Sequence, residues 1–146
     1  RVILCSGKVF YDLQDYQKKN QITNTAIIRL EQIYPLHTKK LTEILSRHSP
    51  DAEIIWCQEE SENMGAWSHL ALRLPSLLKK QVRYVGRDAS SSPATGSLVI
   101  HTLEQNQLVQ EAFASGSTPS PSTPKKTRTP TSAKKTKSPT PRKKKK

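Results

Sequence analysis

Aromatic residues make up only 5% of the 146-residue chain, and it holds two cysteines and five glycines. No apolar run approaches the ~20 residues of a membrane-spanning helix. Each scarcity excludes something. Cys5 and Cys57 have no CxxC spacing and no Cys/His cluster around them, so no zinc site is expected. Both lie inside apolar runs, which suits buried thiols in a reducing, intracellular compartment. The four histidines, His37, His48, His69 and His101, are scattered singly and read as surface or capped residues rather than metal ligands. There is no GxSxG nucleophile elbow. Ser6-Gly7-Lys8 follows an apolar run, but the phosphate-loop pattern needs a glycine five residues before Gly7 and Ser or Thr at position 9, where Val9 stands. A strand-to-helix turn is the better reading. No secretory leader opens the chain, and Arg1 runs straight into strand-like residues, the expectation for a domain cut from something longer.

What is present is charge, unevenly placed. The formal net charge is +12. Residues 1–115 carry 13 Lys and Arg against 12 Asp and Glu, whereas residues 116–146 carry 11 basic residues and no acid. About 115 residues suffice for one domain with its own core. The segment 116–146 has six prolines and no aliphatic residue larger than Ala133, so no burial offsets the entropy of ordering it, and a disordered tail is expected.

The body alternates strand and helix four times. Val2 to Cys5 is an apolar run stopped by Ser6-Gly7, the pattern of a strand buried on both faces. A helix is expected over 8–19 and a strand over 24–30. A second helix follows Pro35, with Leu41, Ile44, Leu45 and His48 on one face and a stop at Ser49-Pro50-Asp51. A third strand is expected over 52–57, a helical segment over 65–78 broken by Pro75, a short strand over 82–85 closed by Gly86, and a last helix over 101–113. That order predicts an α/β fold with a mostly parallel twisted sheet and flanking helices.

Two stretches look chemical. "IWCQEESENMGAW" places Glu59, Glu60 and Glu62 after the third strand, where open α/β sheets carry functional loops. Catalytic carboxylates need a partner across a cleft, which adjacency does not provide; acids before a helix also complement its dipole, so interface or helix-capping roles compete with catalysis. "RYVGRDASSSPATG" combines Arg83, Arg87 and Ser91 in a glycine-bounded loop. Guanidinium forks and exposed N–H groups would cradle an anion there; arginines that pair with carboxylates of a neighbouring domain are the alternative.

With these two stretches, "VILCSGKVFYDL" and "IIRLEQIYPL" occur in an order and spacing that closely resemble the C-terminal domain of the thiamine-dependent first component of 2-oxoglutarate dehydrogenase. The resemblance covers residues 1–115, with one departure: Ser61 stands where that family usually has proline. It implies a transketolase-like C-terminal domain. The whole enzyme would decarboxylate 2-oxoglutarate on thiamine diphosphate with Mg and pass the succinyl group to the lipoyl arm of a succinyltransferase. The cofactor would lie between earlier domains and across a homodimer interface. The magnesium-binding GDG segment is absent here, so no catalytic residue and no bound metal are expected of this chain alone. Glu59, Glu60, Glu62, Asn63, Gly65 and Trp67 are then an interface or structural motif. Some family members respond to nucleotide or acyl-coenzyme A effectors, for which Arg83, Arg87 and Ser91 are the candidate contacts. The implied location is the bacterial cytoplasm, or the mitochondrial matrix of a eukaryote.

The resemblance stops before the tail. Lys125, Lys126, Arg128, Lys134, Lys135, Lys137, Arg142, Lys143, Lys144, Lys145 and Lys146 alternate with Ser/Thr-Pro units, similar to linker-histone tails. Such tails bind polyanions by counterion release. Nucleic acid, an acidic protein of the same complex, and an anionic membrane compete as partners; the membrane is disfavoured because no apolar anchor is present, and a purely solubilising role stays open. The rival to an enzyme domain is a stand-alone nucleic-acid-associated protein.

Overall fold

The computed structural model describes residues 1–115; the basic segment 116–146 and its eleven cations lie outside the described residues. Nine elements follow in order. They are β1 (Val2–Cys5), α1 (Val9–Lys19), β2 (Ala26–Arg29), α2 (Thr38–Leu45), β3 (Ile54–Ser61), α3 (Trp67–Leu70), α4 (Arg73–Leu78), β4 (Val82–Arg87) and α5 (Leu98–Phe113). The strands form one parallel sheet in the order β2-β1-β3-β4. The α/β reading therefore holds.

Strand alternation divides the core in two. Ile3, Cys5, Ile55, Cys57 and Val85 face Val9 and Leu13 of α1 and Leu108, Val109 and Ala112 of α5. Val2, Leu4, Ile54, Trp56 and Val82 face Leu41, Leu70 and Leu74 of α2, α3 and α4. The central strands are covered on both sides, which is why β1 reads as an unbroken apolar run. Cys5 and Cys57 are directly opposite in the β1–β3 register and fully buried. Burial pushes the Cys5 thiol up to about 12 and raises Cys57 further, so both stay protonated and inert.

Several element ends differ from the sequence reading, each for a local reason. The helix α2 stops at Leu45, short of Pro50, because the Ser46 hydroxyl donates back to the Glu43 carbonyl and Arg47 and His48 N–H bond three residues back. Pro75 lies inside α4 and the break falls upstream, between α3 and α4. A proline ring clashes with the carbonyl four residues before it, here Ala71, and is tolerated in a first turn. The helix α5 starts at Leu98, three residues earlier than expected.

The largest difference concerns β3 and β4. The strand β3 continues to Ser61, so Glu59 and Glu60 are strand residues, not loop residues. Cys57 pairs with Val85 and Ser61 with Arg87, so the three residues Gln58, Glu59 and Glu60 bulge opposite Gly86 alone. Gly86 does not close β4 but lies within it. A Cβ there would lie 2.8 Å from the Gln58 carbonyl oxygen and closer still to the Tyr84 hydroxyl, so only glycine lets the bulge fold down onto β4. Gly86→Ala is expected to cost about 2–3 kcal/mol through forced backbone shifts. Gly96→Ala, with φ +69° but open space around it, should cost only about 1 kcal/mol. Urea unfolding midpoints of the two variants check this ordering.

Candidate functional site at the carboxyl edge of the sheet

From β1 the chain turns through α1 on one face to β2; from β3 it turns through α3 and α4 on the other face to β4. The carboxyl ends of β1 and β3 thus form the topological switch point, where open α/β sheets place their ligands. Four side chains from four segments meet there. Lys8 Nζ lies 3.1 Å from Glu59 Oε2 and 3.3 Å from Asp12 Oδ2. Gln105 Nε2 donates to the same two oxygens, at 2.7 Å to Asp12 and 3.2 Å to Glu59. The bond to Glu59 raises the Lys8 pKa, so Lys8 is a cation held between carboxylates and not a base.

Behind this cluster is a buried amide. Gln58 follows Trp56 on the same face of β3 and is 1% exposed. Its Oε1 accepts from Trp56 Nε1 at 2.9 Å and from the Trp67 backbone N–H at 2.9 Å. Its Nε2 donates to the carbonyls of Met64 at 2.8 Å and Ser61 at 3.1 Å. Both donors and both acceptor sites of one amide are thereby used. The turn wraps so closely that a Cβ on Gly65, at φ +66°, would stand 3.0 Å from Glu60 Cβ. Trp67 then opens α3 and packs on Tyr84, ring centroids 5.3 Å apart. None of the three glutamates caps α3, whose N-cap Ala66 receives no side-chain bond.

Asn63 ties this turn to the next loop. Its amide donates to the Ser90 carbonyl at 2.9 Å and accepts from the Ser90 N–H at 3.0 Å. Arg87 adds a second tie: Nε donates to the Glu59 carbonyl at 2.6 Å, and Nη1 lies 3.8 Å from Glu104 Oε2, a buried oxygen with no hydrogen bond. Ser91 is exposed on the same loop. Glu60 and Glu62 are exposed, and neither forms an ion pair among the described residues.

The structure does not bring Arg83 to Arg87. Four residues of strand, about 13 Å, separate them, and Arg83 belongs to the amino edge. There Glu53 accepts from Arg83 Nε at 2.7 Å and Arg1 Nε at 2.8 Å. Arg83 also reaches the Ala114 carbonyl at 3.2 Å, and Arg1 that of Phe113, which fastens the end of α5. Desolvation pushes the Glu53 carboxyl up, but the bonds from Arg83 and Arg1 outweigh it and hold its pKa below the usual range. Sequence reasoning missed Glu53, Gln58, the Lys8–Asp12–Gln105 bridge and the Asn63–Ser90 pairing. Of these, only Gln58 carried a signal, a polar residue two positions after Trp56 in a run that stays buried.

A thiamine diphosphate–Mg pair does not fit these residues. No group of three or more His, Cys, Asp or Glu among the described residues could hold a metal ion. The two carboxylates that do approach each other, Asp12 and Glu59, are already bridged by Lys8 and Gln105.

The fold and site define an open parallel α/β domain whose switch point is occupied by its own ion pairs with a buried amide behind them. The family model described as 2-oxoglutarate dehydrogenase C-terminal matches residues 1–113, and the chain belongs to that family. It is similar to the 2-oxoglutarate dehydrogenase E1 component of Rickettsia felis, 47% identical over 118 residues, 77% of this chain and 12% of that protein. The oxoglutarate dehydrogenase of Buchnera aphidicola is 47% identical over 115 residues, 77% of this chain and 13% of that protein. The E1 component of Azotobacter vinelandii is 41% identical over 118 residues, again 77% and 12%. The chain thus spans about one eighth of the length of these relatives. A stand-alone nucleic-acid-associated protein is not supported by them.

Replacing Gln58 by leucine strands two buried donors and two carbonyls, so a loss of about 3 kcal/mol or more is expected. Glu62→Gln should stay within about 0.5 kcal/mol. Urea unfolding followed by tryptophan fluorescence separates the two. Because the folded pKa of Glu53 is depressed, its contribution is present above the unfolded value of about 4.3 and is lost as pH falls through the folded one. Wild type and Glu53→Gln should therefore differ in melting temperature at pH 7 and converge toward pH 3.

Proposed function

We propose that the chain acts as the C-terminal domain of a 2-oxoglutarate dehydrogenase E1 component and completes that subunit without supplying its active site. The observation that carries this reading is the family match over residues 1–113, joined to a switch point whose charged groups serve one another. In the whole enzyme the remaining domains and a homodimer partner would hold thiamine diphosphate and Mg. That enzyme would decarboxylate 2-oxoglutarate and deliver the succinyl group to the lipoyl-bearing succinyltransferase. The location that goes with this role is the bacterial cytoplasm, or the mitochondrial matrix in a eukaryote. Among the described residues no helix is long and apolar enough to cross a membrane.

Within this reading Glu59, Glu60, Glu62, Asn63, Gly65 and Trp67 form the packing motif of the edge. An anionic effector would engage Arg87 and Ser91, which share the loop after β4; Arg83, at the opposite end of that strand, would have to act separately. The eleven basic residues of the tail supply polyanion binding, nucleic acid included, as an accessory property.

The test is a graft. This chain replaces the matching 118-residue segment of the Azotobacter vinelandii E1 component, and 2-oxoglutarate-dependent reduction of an artificial electron acceptor is measured. Activity from the graft and none from the free chain is expected; an inactive graft would refute the reading. In the active graft, Arg87→Ala and Ser91→Ala should each weaken the response to acetyl-coenzyme A, and an unchanged response removes the effector assignment. For the tail, affinity of the 146-residue chain for duplex DNA should fall steeply with salt, roughly 0.9 log units per log unit for each phosphate contacted. A flat salt response would leave the tail without polyanion binding.

A further inference from the structure

The first turns of α5 are apolar and touch little. Leu98 is 80% exposed, Val99 70%, Ile100 48% and Leu103 64%. Leu98, Val99 and Ile100 are consecutive, and at about 100° per residue they span more than half the helix circumference. Thr102 is exposed among them, and beyond Leu103 the outward positions Asn106, Gln107 and Gln110 are polar. Single exposed apolar residues are ordinary, but four gathered on two turns mark a contact surface.

The exposure follows from the geometry of the sheet. Glu104 and Gln105 meet Arg87, the last residue of β4, and Glu59, near the end of β3. The six residues before them therefore run past the carboxyl edge, an overhang of about 9 Å at 1.5 Å per residue. No strand lies beneath that part of the helix.

We propose that the overhanging turns of α5, through Leu98, Val99, Ile100 and Leu103, dock into an apolar groove on another domain of the E1 polypeptide. This rests on the role proposed above and specifies the face through which it is exercised. Residues 116–146 hold no aliphatic side chain larger than Ala133, so their composition offers no apolar complement to these turns. A second copy of the chain is a poor occupant. Four such side chains offer on the order of 400 Å², the size of a single functional patch, while a stable dimer takes about 800 Å² from each partner. Contacts between domains of one chain can use a small apolar centre inside a polar border. The opposite surface therefore needs a groove for these side chains. Polypeptide to provide it exists in the relatives, seven eighths of whose length lies outside the match.

The active graft and its Leu98→Ser/Val99→Ser/Leu103→Ser variant decide the matter, with the free 146-residue chain carrying the same substitutions alongside. In the free chain the melting temperature should change little, because these three side chains are mostly exposed. In the graft the variant should open α5 to protease on the order of tenfold faster and lose cooperativity with the rest of the enzyme. An active wild-type graft whose variant is equally protected overturns this inference and leaves the proposed function intact. A wild-type graft that is inactive removes both. Sedimentation showing that the free chain dimerises, and that the triple variant does not, assigns the face to a second copy and overturns the proposal.

Discussion

Everything at the carboxyl edge depends on one buried amide. Gln58 is almost wholly buried, and the bonds of its amide fix the indole of Trp56, the start of α3 and the carbonyls of the intervening turn. A buried polar group of this kind is costly unless fully satisfied, and fully satisfied it permits one arrangement of its neighbours. The β3 bulge, the positive φ of Gly65 and the missing side chain of Gly86 all serve to bring backbone to that amide.

Charge follows the same economy. At the amino edge Glu53 gathers two arginines and locks the end of α5 to the start of the sheet. At the carboxyl edge Lys8 and Gln105 hold the carboxylates of α1 and β3 together. Such half-exposed pairs are each worth little alone, but they connect segments far apart in sequence, and they engage Lys8, Asp12 and Glu59 with one another.

Much of the fold was legible because burial wrote it into local pattern. The apolar run of β1 and the three-four spacing of α2 were sufficient for the strand–helix alternation, and alternation implies a parallel sheet. Ends were less legible. Glu59 and Glu60 read as loop because acids are depleted from strands, yet β3 carries them through by bulging over Gly86. The site was harder still. Lys8, Asp12, Glu59 and Gln105 span almost the whole domain in sequence, and only the topology makes them neighbours. Arg83 and Arg87 looked like one anion site because four residues are close in a helix or loop; along a strand they reach opposite edges.

The most direct test of this account is amide and indole hydrogen exchange, followed by NMR in the 146-residue chain. If Gln58 organises the edge, the Trp67 backbone N–H and the Trp56 indole N–H exchange only on global unfolding, as slowly as the amides at the centre of β1 and β3. Rapid exchange at both, with the sheet still protected, would show that the turn after β3 opens independently and that the buried amide does not hold it.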